Sequence, residues 1–287
     1  MALHLLVVEG NTRAARERHR AALGYTPSEG YAAVLEKLAP DAVCDLCFPA
    51  DEGANLPDGA GLESYDGVVL TGSSLHLWDM QPEVMRQVEL ARAVYRSRSP
   101  FFGSCWGIQV ASVAAGGNAV RNPAGRELAI ARNIAPTDAG RAHPLLAGRR
   151  AAYDAPCVHL DIVGALPPDC TVLASNAMAP VQAAEFRSEG GSFWGVQYHP
   201  EFSLTHVAKL LAMNVEALVA DGFFSDSQAA TTLLGDWELL ERAPARADLA
   251  WRYGLGPDVT DAAIRTTEIG NWLAHRVRPQ ASVRGRA

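Results

Sequence analysis

Two short stretches of this chain set reactive side chains among small, conformationally permissive residues. In "FFGSCWGIQ", residues 101–109, Cys105 stands between Gly103 and Gly107. In "GVQYHPEFS", residues 195–203, His199 is followed by Pro200 and Glu201. A thiol that attacks a carbonyl needs a base beside it, and the base needs a group that fixes its orientation. Cysteine, histidine and glutamate are the residue types for that work. Alone, Gly-x-Cys-x-Gly fits a tight turn with a packing cysteine as well as it fits a nucleophile, since free cysteine is among the most buried residues. Alone, His-Pro-Glu fits an ordinary turn with a solvated acid. Together, at the ends of two strands of one domain, they are hard to read as accidents.

The surrounding elements explain how these residues would be presented. "PFFGSC" reads as a strand and "GIQVASVAAGG" as a helix closed by Gly116 and Gly117. Cys105 falls on the sharp turn between them, the layout of a nucleophile elbow with cysteine in place of serine. The following helix offers free N–H groups and a positive dipole end, which favour a thiolate. The N–H of Trp106 is placed to receive a developing oxyanion. Phe193 to Tyr198 read as a strand ending at His199, where Pro200 breaks the ladder.

Strands and helices alternate through the first half of the chain. "HLLVVEG" (4–10), "DAVCDLCFPA" (41–50) and "YDGVVLTGSS" (65–74) are strand-like; "EGYAAVLEKLAP" (29–40) and "QPEVMRQVELARAVYRSRS" (81–99) have helical spacing. This order predicts an α/β fold with a mostly parallel sheet and helices on both faces. Between about 125 and 200, strand-like pieces such as "ELAIARNIAP" and "APCVHLDIV" are joined by Pro, Gly and Asn turns, which predicts antiparallel additions. "HVAKLLAMNVEALVADG" (206–222) reads as one helix that finishes a domain over 1–222. Residues 223–287 read as a helical C-terminal extension whose stripe of Leu233, Leu234, Trp237 and Leu240 packs on the main domain or on a second subunit.

Composition narrows the function classes. The chain has 287 residues, 48% hydrophobic and 20% charged, with a net charge of −7, which gives no reason to expect nucleic acid or an acidic membrane surface as partner. Five cysteines are too few and too odd in number for a disulfide framework. No apolar run reaches the length of a signal peptide or a membrane span, so a cytoplasmic, reducing compartment is expected. Cys44 and Cys47 form a CxxC with no second pair to complete a zinc site, and their offset in a strand sends them to opposite faces. There is no glycine-rich nucleotide loop, and no metal or cofactor is called for.

"GSCWGIQ" (103–109) and "GVQYHPE" (195–201) together resemble the class I, or triad, glutamine amidotransferases. In element order the resemblance covers residues 1–220 and is similar to a free-standing GMP-synthase-type glutaminase domain. It implies a flavodoxin-like sheet and a Cys-His-Glu triad that cleaves the side-chain amide of glutamine through a γ-glutamyl thioester. Carried over, Cys105 is the nucleophile, His199 the base and then acid, Glu201 the orienter, and Gln109 a substrate contact. The second half of the oxyanion hole would come from the loop "VVLTGSSLHLWD" (68–79). Thr71-Gly72-Ser73-Ser74 stands there in place of the family's Gly-Gly-Pro-like run, with Gly72 supplying the N–H and Ser73 near the substrate. "APCVHLDIVGALP" (155–167) matches a family segment written Ser-His-x-Asp. His159 and Asp161 agree with it, Val158 replaces the serine, and the segment would help form the glutamine pocket. His159 ranks below His199 as a base because no carboxylate follows it on a bend.

The arginine-rich stretch at 11–24 reads as a solvated face, or as an anion-binding surface beyond a strand end. The C-terminal extension is too small for an ATP-pyrophosphatase domain. Three arrangements therefore stay open. In the first the protein feeds ammonia to a separate synthase or acceptor-bearing protein, in the second it hydrolyses a γ-glutamyl compound such as a hydroxamate alone, and in the third it transfers the γ-glutamyl or amide-derived group itself. A γ-glutamyl hydrolase or peptidase is the alternative within enzymes, and an inactive binding module is the alternative outside them. A homo-oligomer is compatible with all of these.

Overall fold

The computed structural model describes residues 2–57 and 60–283; the last four residues of the C-terminal extension lie outside them. Leu3–Val8 (β1) is a six-residue apolar run, and a strand of that composition belongs inside a sheet covered on both faces. It pairs in parallel with Ala42–Cys47 (β2) on one side and with Gly67–Leu70 (β3) on the other. Arg13–Leu23 (α1) and Pro27–Leu38 (α2) form the first crossover. The second helix starts with a capping box in which Thr26 and Glu29 satisfy each other's backbone N–H groups, with proline in the first turn. Pro82–Ser97 (α3) leads to Phe101–Ser104 (β4), and Trp106–Ala114 (α4) follows after Cys105.

Ala119–Arg121 (β5) and Asp161–Val163 (β8) make a small separate antiparallel pair. Glu127–Pro136 (β6), Asp138–Ala142 (α5), Tyr153–His159 (β7), Cys170–Ser175 (β9), Ala183–Ser188 (β10) and Gly191–Val196 (β11) complete the central part. The nine-stranded sheet has the order β2-β1-β3-β4-β11-β10-β9-β6-β7. The first five strands run parallel, and the remaining pairings are antiparallel. This is the predicted α/β sheet with its antiparallel additions.

The predicted helix over 206–222 is two helices, Leu204–Ala212 (α6) and Val215–Ala220 (α7), with a break at Met213 and Asn214. Beyond them come Ser227–Arg242 (α8), Ala247–Arg252 (α9), Pro257–Thr260 (α10), Ala262–Arg265 (α11) and Thr267–Trp272 (α12). A π-helical turn, Leu273–Val277, then runs into Arg278–Val283 (α13). Gly270 lies within α12 and does not interrupt it.

Three packed clusters hold the molecule together. One sheet face is covered by Tyr31 and Leu35 of α2 together with Ile269, Trp272, Leu273 and Val277 from the C-terminal segment. The opposite face is covered by Val84 and Val88 of α3 and by Trp106 and Ile108 of α4. Trp237 and Leu240 of α8 join Leu204, Val207 and Leu211 of α6 in the third. The C-terminal segment therefore packs on its own chain, partly as a layer of the main sheet. Cys44 faces the first cluster and Cys47 the second, as the strand period requires.

Candidate active site

The chain reverses from β4 into α4 at Cys105, which has φ 54° and ψ −104°. A positive φ is costly for a residue with a Cβ and persists only where the surroundings enforce it. The Cys105 N–H donates to the Val196 carbonyl of β11 at 2.8 Å, so the turn is tied to a neighbouring strand. Gly107 has no alternative: a Cβ there would stand 2.6 Å from the Leu70 carbonyl oxygen of β3. Cys105 is almost fully buried and lines the cleft above the sheet. The N–H of Trp106, in the first turn of α4, has no partner within its helix. The Trp106 ring is locked by an Nε1–H bond of 2.7 Å to Gln87.

His199 stands just past β11, the strand beside β4. Its N–H donates to the Pro156 carbonyl at 2.8 Å, and its Nδ1 lies 2.7 Å from Glu201 Oε1. The ring stacks on Phe202 with centroids 3.9 Å apart and planes 4° apart. Phe202 stacks in turn on His206, which contacts His19. Burial by itself would push the His199 imidazole down. The Glu201 carboxylate, and after it the hydrogen-bonded Cys105, outweigh burial and lift it to about 10. A residue pair two apart on a proline bend therefore orients a charged imidazole against the elbow cysteine.

Gly72 stands two residues past the end of β3 and lies under this ring, where a Cβ would be 2.7 Å from His199 Cε1. Its loop is held by Asn11, which follows β1: Asn11 Oδ1 accepts from the Ser74 N–H at 3.0 Å, and Asn11 Nδ2 reaches the Gly72 carbonyl at 3.4 Å. The Ser73 hydroxyl caps the Leu75 N–H and also lines the cleft. Asn11, Gly72, Cys105 and His199 thus come from the C-terminal ends of four parallel strands, where open α/β sheets place their ligands.

The cleft has a volume of about 420 Å³. Gln109 is buried beneath it and donates to the Asp161 carbonyl at 2.8 Å and to Gln197 at 3.3 Å. Asp161 is buried, with Oδ2 2.6 Å from His76 Nδ1 and Oδ1 without a partner. His159 has no carboxylate following it on a bend, as expected, and so differs from His199. It does have a carboxylate, but across the sheet: Glu127 is its register partner on β6, and Glu127 Oε2 lies 2.7 Å from His159 Nε2. Asn176 and Gln182 also donate to Glu127, so despite burial its carboxyl is held below the usual range.

The structure therefore brings Cys105, His199, Glu201, Gly72, Ser73, Gln109, His159 and Asp161 to one cleft, with Trp106 directly behind it. Sequence reasoning missed Asn11, His76, Arg126 and Glu127. The acid that opens "ELAIARNIAP" was a visible signal, since an ionisable residue leading into the apolar run Leu128–Ala131 needs a partner. Four histidines, His19, His159, His199 and His206, are buried. Among the described residues no group of three or more His, Cys, Asp or Glu side chains could hold a metal ion, and no helix is long and apolar enough to cross a membrane.

Comparison with known proteins agrees with this architecture. The family model described as "Glutamine amidotransferase class-I" matches residues 48–217. A γ-glutamyl-L-1-hydroxyisopropylamide hydrolase from a Pseudomonas species is 33% identical over 284 residues, covering 97% of this chain and 95% of that protein. The glutamine-hydrolysing GMP synthase of Thermomicrobium roseum is 32% identical over 153 residues, covering 53% of this chain but only 26% of the synthase. In fold, a glutamine amidotransferase from Thermotoga maritima superposes with a TM-score of 0.64 at 15% identity, covering 96% of this chain and 99% of that one. The chain belongs to the class-I glutamine amidotransferases and is an enzyme of amide hydrolysis or transfer.

Proposed function

We propose that the protein hydrolyses γ-glutamyl amides of small amines, releasing glutamate and the free amine through a thioester on Cys105. The observation that carries the reaction is His199 set between Glu201 and Cys105 at the floor of the cleft. The Cys105 sulfur, its proton on His199, attacks the γ-carbonyl carbon. The N–H groups of Trp106 and Gly72 receive the oxyanion. The C–N bond breaks as His199 gives its proton to the leaving nitrogen. Water then attacks the thioester while His199 takes up a proton, and the C–S bond breaks to release glutamate. Glu201 holds the ring and its charge throughout.

Two features favour an amine larger than ammonia. The cleft is in the range of about 300–1,000 Å³ typical of small-molecule sites, more than a lone amino acid needs. One wall is apolar, built by Leu210, Met213, Ala217 and Leu218 around the α6–α7 break. The full-length similarity to a γ-glutamylamide hydrolase, which includes the C-terminal segment, supports the same reading. For the glutamyl half, Arg126 supplies a cation. It immediately precedes β6, lines the cleft together with Leu128, and makes no hydrogen bond or ion pair with any described residue. Its guanidinium suits the substrate's α-carboxylate.

The second reading, delivery of ammonia from glutamine to a separate synthase, is favoured by the match to the glutaminase part of GMP synthases. Steady-state comparison decides between them. A γ-glutamyl-N-alkylamide should be hydrolysed with kcat/KM at least about 10-fold above that for glutamine, consistent with one or two methylenes' worth of pocket contact. Equal or better use of glutamine would overturn the amide reading. Arg126→Met should raise KM for the γ-glutamylamide and abolish the preference for a free α-carboxylate over an α-carboxamide.

A further inference from the structure

We infer that Glu268, in the C-terminal segment, is a positioning residue for His199 that acts through Tyr198. The inference rests on the proposed role of the Cys105–His199 pair. Tyr198 immediately precedes His199, and its side chain is fully buried in the sheet face covered by the C-terminal helices. Its hydroxyl donates to Glu268 Oε1 at 2.7 Å and lies 2.8 Å from the Tyr153 hydroxyl of β7. His199 has left the strand ladder, and three contacts place its backbone: its own N–H on Pro156 at 2.8 Å, the Phe202 N–H on its carbonyl at 3.2 Å, and the anchored ring of the preceding residue.

Glu268 is itself rigidly held. It is 0% exposed and accepts from Arg149 Nε at 2.6 Å and Nη2 at 2.7 Å. Arg149 also donates to the Arg265 carbonyl at 3.0 Å and stacks over the Tyr153 ring at 4.5 Å. A fully buried ion pair is not needed for stability, because apolar residues of the same volume usually do as well or better. What the pair provides is a fixed acceptor at one point in a dry interior, aimed at Tyr198. The other half of the site is anchored in a parallel way: Ser104, just before Cys105, is bound by the Tyr31 hydroxyl at 2.9 Å, and Trp272, four residues after Glu268, stacks obliquely on Phe102 at 5.7 Å. The C-terminal segment thus reaches both strands that end in the reacting pair.

The test uses the full chain and two conservative variants, with γ-glutamyl-N-alkylamide turnover and iodoacetamide alkylation of Cys105 as readouts. Tyr198→Phe removes one oxygen and should lower kcat roughly 10-fold to 100-fold with KM changed less than about 2-fold, because misplacement of a catalytic group acts on the transition state. The pH profile of Cys105 alkylation should change with it. Glu268→Gln keeps an acceptor for Tyr198 and should lose far less kcat than Tyr198→Phe; if it fails to fold, Tyr198→Phe still decides. Arg246→Ala, which breaks an exposed pair in the same segment, should leave kcat unchanged. Wild-type kcat in folded Tyr198→Phe overturns the inference, as does a lowered kcat with an unaltered alkylation profile. If Cys105→Ala keeps full activity, the reading of the triad fails instead.

Discussion

Two buried histidine–carboxylate pairs flank the same cleft, and they are nearly identical as pairs. His199 lies 2.7 Å from Glu201, and His159 lies 2.7 Å from Glu127. They differ in what else each partner touches. Glu201 engages Nδ1 of His199, which leaves Nε2 for Cys105. Glu127 engages Nε2 of His159 and is further bound by Asn176 and Gln182, while His159 Nδ1 is buried with no partner. The first pair is a lever with one free end; the second is a clasp that joins β6, β7 and the 176–182 turn. A short imidazole–carboxylate contact is thus no mark of a base. The mark is a ring nitrogen left free beside a nucleophile, and strand-end geometry supplies it at His199 alone.

Breaking the first pair should have the largest effect. Cys105→Ala and His199→Ala should each lower kcat by on the order of 10⁴-fold or more, with little further loss in the double variant, because members of such a unit are not additive. His159→Gln should fall far short of that. Steady-state kinetics on folded variants makes the comparison, and equal losses at His159 and His199 would erase the distinction.

Glu201→Gln should cost less, roughly 100-fold to 1,000-fold, and should also change the pH dependence. The His199 imidazole is raised to about 10 in the folded protein, against an ordinary value of 6.5. Its charge therefore contributes stability that is fully present below pH 6.5 and lost as pH rises through about 10. Activity that uses the imidazolium as acid should fade over the same alkaline range. Without the Glu201 carboxylate the alkaline limb of kcat/KM should move down toward 6.5. An unmoved limb would show that Glu201 does not support the charge.

The second pair should respond mainly in stability. Glu127→Gln converts one acceptor oxygen into a donor that faces other donors, so we expect a loss of about 1–3 kcal/mol in urea unfolding with kcat changed only a few-fold. Because its carboxyl is held low, the wild-type contribution of Glu127 is present above pH 4.5 and declines as pH falls through the folded value. The variant should lack that acid-side decline.

Much of this contrast was readable from the chain. Gly103, Cys105 and Gly107 announce the elbow because a turn that tight needs glycine at the α4 contact. His199 and Glu201 announce their pairing because a two-residue offset on a proline bend is local. The pairing of His159 with Glu127 is set by antiparallel register across 32 residues, which no local pattern encodes. The hold of Glu268 on Tyr198 spans 70 residues and joins a segment that looked like an appendage to the strand carrying His199. The break between α6 and α7 was missed because Met213 and Asn214 are acceptable inside a helix and carry no stop signal such as Gly or Pro. Local chemistry was legible; the partners supplied by register and by distant helices were not.

The central claim is that Cys105, and no other cysteine, carries the γ-glutamyl group between two half-reactions. Rapid acid quench during turnover of a γ-glutamyl-N-alkylamide, followed by peptide mass spectrometry, tests it directly. The account predicts a γ-glutamyl adduct on the peptide containing Cys105, formed with release of one equivalent of amine and absent in Cys105→Ala. Sustained turnover with no adduct at Cys105, or an adduct on another residue, would contradict it.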